Sequence, residues 1–204
     1  MTELKSLDAY LSSWSAGDAE RQATARAVAA IAEAAVDISA LIRRGPLAGS
    51  LGASEGGNTQ GDDQKVLDVR ANELLMTTLR AARVAVIGSE ELERPEIVDA
   101  SAPVAVALDP LDGSSNIDTN VAIGTIFSIL RVPSAADGGA GRAFLQPGTA
   151  QIAAGYVIYG PHVAMVLTVG AGTHFFTLDQ DKRVFVQTGK PAAIAPETGE
   201  YAVN

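Results

Sequence analysis

Two hydrophobic rhythms divide this chain, and the order in which they occur restricts its fold more than any other feature. In the N-terminal part, apolar residues recur at helical spacing: Leu4, Leu7, Leu11 and Trp14, then Val28, Ile31, Ala35, Ile38 and Ile42. Gly17 closes the first stripe. Gly45-Pro46 closes the second, after an Arg43-Arg44 pair suited to the negative end of a helix dipole. Residues 64–83 predict one further helix, with Leu67, Ala71, Leu74 or Leu75, and Thr78 or Leu79 inward. Beyond it the rhythm changes to short β-branched runs at 84–87, 97–98, 103–108, 121–132, 156–159, 163–169, 173–178 and 184–187. The last two are joined through Asp179-Gln180-Asp181 as an antiparallel pair, and residues 133–148 read as a loop. Helices first and adjacent strands afterwards predict an α+β fold, with helices layered on a mixed, largely antiparallel sheet.

Composition narrows the class. Of 204 residues 47% are hydrophobic, enough for one substantial core. There is no cysteine, which excludes disulfides and thiol switching within these residues. The net charge of −9 opposes nucleic acid, which demands a basic footprint. No apolar stretch reaches the roughly 18 residues of a membrane span, and the acidic start is unlike a signal peptide, so a cytoplasmic location is expected. Residues 45–61 hold six glycines and read as a mobile loop.

The most specific chemistry lies at residues 108–118, Leu-Asp-Pro-Leu-Asp-Gly-Ser-Ser-Asn-Ile-Asp. Pro110 lacks a backbone donor, so the preceding strand is expected to stop there. Asp109 and Asp112 would then sit at its end. Gly113 lets the backbone approach an anion, and the amides and hydroxyls of Ser114 and Ser115 can donate to phosphate oxygens. Hard oxygen ligands beside a phosphate cradle point to Mg²⁺-assisted phosphoryl chemistry. Asp-x-x-Asp alone reads equally well as an acidic surface turn; the whole run does not.

The run resembles the signature of the Mg²⁺-dependent sugar phosphatases that include inositol monophosphatase and fructose-1,6-bisphosphatase. Three further stretches agree in order: 61–69, Gly-Asp-Asp-Gln-Lys-Val-Leu-Asp-Val; Ser89-Glu90-Glu91; and Gly124-Thr125-Ile126-Phe127, followed by 145–148 and 153–156. The Ser-Ser-Asn-Ile-Asp variant is similar to the class I fructose-1,6-bisphosphatases, nearest to the bacterial Calvin-cycle type. The similarity covers residues 19–204, after an N-terminal helical arm at 1–18.

The resemblance implies a layered α-β-α sugar phosphatase fold and a site for Mg²⁺, with Mn²⁺ as an alternative. Asp109 would bridge two metals, Asp112 would bind one and Glu90 the other, and the Leu111 carbonyl would add a ligand. Glu91 and Asp68 would position or deprotonate the attacking water, and Asp62, on the loop, would complete a third metal site. Asp112, Gly113, Ser114 and Ser115 would hold the substrate phosphate. Asp68 also suits a helix start, and Ser114 and Ser115 also suit caps. Asn116, Asp118, His162 and His174 read as structural, and Tyr156 and Tyr159 as packed in the sheet. The implied reaction is removal of the 1-phosphate of fructose 1,6-bisphosphate by a cytoplasmic homotetramer, with sedoheptulose 1,7-bisphosphate as an alternative substrate.

The resemblance also has gaps. The family's second half, with its sugar-phosphate pocket, has no counterpart in these residues, so a metal- or anion-binding module lacking its own turnover is the competing class. The AMP-site pattern of animal enzymes is not matched at residues 18–21 or at Ala102-Pro103. Inositol-phosphate hydrolysis is disfavoured by the Ser-Ser-Asn-Ile-Asp spelling.

Overall fold

The computed structural model describes residues 4–49, 52–57, 63–193 and 195–199. Helix α1 (Leu7–Ser15) is capped by the Ser6 hydroxyl, which accepts from the Ala9 amide at 3.1 Å. Helix α2 (Ala19–Arg44) begins on Asp18, whose carboxylate accepts from the Arg21 amide at 2.9 Å, and ends where Gly45 turns to φ 50°. Its buried stripe is rich in alanine (Ala27, Ala34 and Ala35 with Val28, Ile31 and Ile38). Small side chains let α2 lie close against its neighbours without giving up its apolar contact. Helix α1 packs on α2 and on the sheet edge, and Leu7 and Leu11 enter the same core.

After α2 comes a two-stranded ribbon, β1 (Ser54–Gly57) with β2 (Asp63–Lys65), and then α3 (Val66–Ala81). The segment expected as a loop therefore holds a strand, and α3 starts two residues later than its sequence suggests because residues 63–65 pair instead. The main sheet comprises β3 (Val86–Ser89), β4 (Glu96–Ile97), β5 (Val104–Asp112), β6 (Ile123–Arg131), β7 (Gln151–Tyr159), β8 (Val163–Thr168), β9 (Thr173–Asp179) and β10 (Val184–Gln187). Its order is β10-β9-β8-β7-β6-β5-β3-β4, and only the β3–β5 pair is parallel. The α+β expectation is borne out. Among the described residues no helix is long and apolar enough to cross a membrane.

The three helices cover one face of the sheet. Ile123, Phe127 and Ile129 of β6 point into that core with Ala153, Val157 and Tyr159 of β7 and Met165 and Leu167 of β8. The packing there is close: a Cβ on Gly155 would meet the Val166 carbonyl oxygen at 2.5 Å and the Phe127 ring at 2.7 Å. On the opposite face, the 133–150 connection covers only one end. Its Phe144 packs with Ala85, Val86, Ala105 and Ala143. The remainder is open, with Ile126 46% and Tyr156 41% exposed, and forms a groove of about 800 Å³.

Three expectations are corrected. Tyr156 does not pack in the core, because it alternates with Val157 and faces the open groove. His162 is exposed in the turn between β7 and β8, whereas His174 packs at a tilt against Tyr10 with ring centroids 4.9 Å apart. Pro110 does not end β5. The strand runs on to Asp112 through an irregularity that absorbs the missing amide donor.

Candidate metal and phosphate site

The site forms where β3 and β5, running parallel, deliver their C-terminal ends side by side. Asp109 pairs with Ile126 of β6, and Asp112 pairs with Gly124. Two residues, Pro110 and Leu111, therefore stand opposite the single residue Thr125, which makes a β-bulge. Along a regular strand, residues three apart point to opposite faces. Ile126 and Gly124 share a face, so the extra residue places both Asp109 and Asp112 on it. The Leu111 amide donates to Asp109 Oδ1 at 3.0 Å and tightens the turn, and the Leu111 side chain anchors it in the core.

Glu90 follows β3 directly, and its amide donates to the Leu108 carbonyl at 3.1 Å, which hangs the Glu90-Glu91 turn on β5. Ser89 braces that turn: its hydroxyl donates to Asn72 Oδ1 on α3 at 2.8 Å and accepts from the Glu91 amide at 3.3 Å. The Glu90 and Asp109 side chains hydrogen-bond each other. Two carboxyl groups can do so only if a proton lies between them. Burial, then the charge and hydrogen bond of Glu90, then the charge of Asp112, push the Asp109 carboxyl up to about 7.

Asp68 lies at the start of α3 and is only 3% exposed. Its Oδ2 accepts from the Lys65 amide at 2.7 Å, so the helix-start role weighed from sequence is realised. Burial raises its pKa, while the Lys65 amide and the Ser114 hydroxyl, both donating to it, pull the other way; Glu90 contributes a further upward push. Ser114 has one hydroxyl proton, and Asp68 takes it. Gly113 adopts φ 78°, the left-handed conformation that starts the short 3₁₀ turn Ser114–Asn116. Within that turn the bonded amides are those of Asn116 and Ile117, which donate to the Gly113 and Ser114 carbonyls. The amides of Ser114 and Ser115 precede them in the turn.

The structure thus brings together Glu90 with Asp109, and Asp68 with Ser114. Asp112 adds its field from an exposed position, Ser115 is exposed, and Glu91 is half-buried. Asp62 lies outside the described residues. Among the described residues, no three His, Asp or Glu side chains close round a single point suited to a metal ion. The donor set nonetheless fits one. Glu90 and Asp109 are held in contact by a shared proton, and a divalent cation is the alternative partner that lets both ionise.

Sequence reasoning missed two supports. Lys65 Nζ reaches Asp118 Oδ2 at 3.3 Å, and a Cβ on Gly52 would overlap Asp118 Oδ1 at 1.9 Å, so the glycine-rich segment rests against the signature turn. The Thr125 hydroxyl donates to the Pro110 carbonyl at 2.8 Å and lies 2.8 Å from the Tyr159 hydroxyl. Only the motif Gly-Thr-Ile-Phe hinted at Thr125.

Comparison with known proteins decides the family. Residues 14–190 match the model of the fructose-1-6-bisphosphatase N-terminal domain. The chain belongs to the fructose-1,6-bisphosphatase family. A class 1 fructose-1,6-bisphosphatase of Nitrobacter hamburgensis is 51% identical over 92% of this chain, and one from Rhizobium meliloti is 46% identical over 97%. The match takes in 53% and 57% of those proteins, so the chain spans about half the length of the curated relatives. The crystal structure of Leishmania major fructose-1,6-bisphosphatase in holo form superposes with a TM-score of 0.87 at 34% identity, over 99% of this chain and 63% of that one. The bisphosphatase resemblance read from the signature is therefore borne out, as is its restriction to an N-terminal portion.

Proposed function

We propose that these residues carry the metal- and phosphate-binding half of a fructose-1,6-bisphosphatase that hydrolyses the 1-phosphate to fructose 6-phosphate and phosphate. The observation that carries the reading is the Asp109–Glu90 carboxyl pair, held on one face with Asp112 by the β5 bulge. Such a cluster weakens the fold while it is ionised and unpaired, so it is a binding feature and not a stabilising one.

Glu90, Asp109, Asp112 and the Leu111 carbonyl would hold Mg²⁺ or Mn²⁺, and Asp62 would add a further site. When bound, the ions offset charge on the phosphoryl oxygens and acidify water. The amides of Ser114 and Ser115, beside left-handed Gly113, orient the phosphate for in-line attack. Asp68 fixes the Ser114 hydroxyl and so the pitch of that turn. Glu91, its amide anchored on Ser89, takes the proton of the attacking water. The water oxygen bonds to phosphorus, the bond from phosphorus to the C1 oxygen breaks, and that oxygen takes a proton from solvent water as it leaves. Sugar recognition falls to the part of the relatives that this chain does not match. A cytoplasmic homotetramer remains the expected assembly, on family resemblance.

The test joins this chain to the unmatched C-terminal half of the Nitrobacter hamburgensis relative and measures phosphate release from fructose 1,6-bisphosphate with and without Mg²⁺. Mg²⁺-dependent turnover, lowered at least about 100-fold by Asp109→Asn, is expected. A chimera that keeps its rate when it carries Asp109→Asn would refute the site.

A further inference from the structure

The bulge that places Asp109 and Asp112 on one face is itself held by two buried side chains to which no role has been given. Thr125 is fully buried and stands alone opposite Pro110 and Leu111. Its hydroxyl donates to the Pro110 carbonyl, the backbone acceptor at the centre of the bulge, at 2.8 Å. A threonine hydroxyl has one proton, and a carbonyl can only accept. That proton is spent on Pro110, so the 2.8 Å contact with Tyr159 must run the other way, with the tyrosine O–H donating to Thr125 Oγ1. Tyr159 sits on the neighbouring strand β7, 5% exposed, with its ring in the main core. The relay therefore starts in the core at the C-terminal end of β7, reaches Thr125 on β6 and ends on the carbonyl between the two aspartates.

We propose that Tyr159 and Thr125 are positioning residues for the divalent-cation site, locking the β5 bulge so that Asp109 and Asp112 present their carboxylates to the same ion. This rests on the metal-binding reading above. The physical reason is specific to the bulge. Without a donor for the Pro110 carbonyl, the extra residue has no partner in the ladder. A regular continuation of β5 would turn Asp112 to the face opposite Asp109. Pro110 contributes by removing a competing ladder donor, and Thr125 contributes by satisfying the acceptor that remains.

The experiment measures Mn²⁺ binding to the intact chain through loss of the free-ion electron paramagnetic resonance signal, well below each variant's melting temperature. Thr125→Val keeps the shape and removes both hydrogen bonds; its Mn²⁺ dissociation constant should rise about 10- to 100-fold, the usual effect of removing a group that orients a metal ligand. Thr125→Ser restores the hydroxyl and should bind within about twofold of the unaltered chain. Tyr159→Phe leaves the Thr125–Pro110 bond in place and should fall between them. Phe185→Leu, a core change on the distant strand β10, controls for lost stability and should leave affinity unchanged. If Thr125→Val binds as tightly as the unaltered chain while Asp109→Asn does not, the positioning role is overturned and the metal site stands. If the Phe185→Leu control weakens binding as much as Thr125→Val, the effect is general destabilisation and the positioning role is likewise overturned. If Asp109→Asn binds normally, or the unaltered chain takes up no Mn²⁺, the underlying metal reading is overturned and the positioning role falls with it.

Discussion

Asp109→Asn should make the metal-free protein more stable, although it disables the proposed site. A carboxyl group held at about 7 in the fold, against about 3.9 in an unfolded chain, folds at a cost once the solution is basic enough to ionise it. The sign follows from linkage. The unfolded chain releases this proton near pH 4 and the folded chain only near pH 7, so stability falls with rising pH across that window and levels off above it. About three pH units at 1.36 kcal/mol each give roughly 4 kcal/mol as an upper bound. The site opens onto a wide groove, whose water screens the Asp109–Glu90 repulsion, so about 1–3 kcal/mol is expected. Asparagine has the same shape and no charge to lose. In chelator at pH 8, Asp109→Asn should therefore melt higher by about 2–4 °C for each kcal/mol relieved, the scale for a chain of this length. The difference should vanish near pH 4. Adding Mn²⁺ should reverse the order, because an ion that binds only the folded state raises the stability of the unaltered chain alone. Thermal unfolding followed by circular dichroism, across pH and with or without metal, reads all three results. A variant that melts lower than the unaltered chain at pH 8 in chelator would refute the account of the pair.

Other consequences are smaller or more local. Gly155→Ala puts a methyl group against a backbone oxygen that cannot yield, and should cost about 1–3 kcal/mol in urea unfolding; no loss would mean that β7 and β8 separate freely. Glu96 pairs with Arg80 through two hydrogen bonds of 2.7 and 2.6 Å, which hold the Glu96 carboxyl below its ordinary value. Glu96→Gln should cost at most about 1 kcal/mol at pH 7, since the pair is solvated. That deficit should shrink as pH falls below the glutamate's unfolded value, because the native pair itself is lost as the carboxylate protonates. Ser114→Ala removes a donor to Asp68 and should raise the Asp68 pKa further, visible as a shifted carboxyl resonance in a pH titration.

Much of the site was legible because its chemistry is contiguous. Asp109 to Ser115 supply carboxylates, a left-handed glycine and two serines within one short run, and no partner strand is needed to see that. Asp68 could be read two ways, and the fold assigns it both a helix start and a bond to Ser114. What stayed hidden depends on who sits across the sheet. Pro110 looked like a strand's end because its own chemistry forbids a ladder bond. Only the β6 register, with Thr125 facing two residues, turns that ending into a bulge.

The same limit explains Tyr156 and Tyr159, three residues apart on β7. By composition they are equivalent, and sequence reasoning packed both. In the sheet their odd spacing sends them to opposite faces: Tyr159 into the helix-covered core, where its hydroxyl has a buried partner, and Tyr156 onto the open groove. Which face is covered is decided by α1, α2 and α3, well over a hundred residues away for the first two. The aspartates obey the inverse rule, since they too are three apart and yet share a face. The difference between the two cases is one inserted residue in β5 and the hydroxyl that satisfies its carbonyl. A pattern of residue types shows that carboxylates are present. Whether they converge is a property of strand register, and register is fixed by side chains on strands that the motif does not contain.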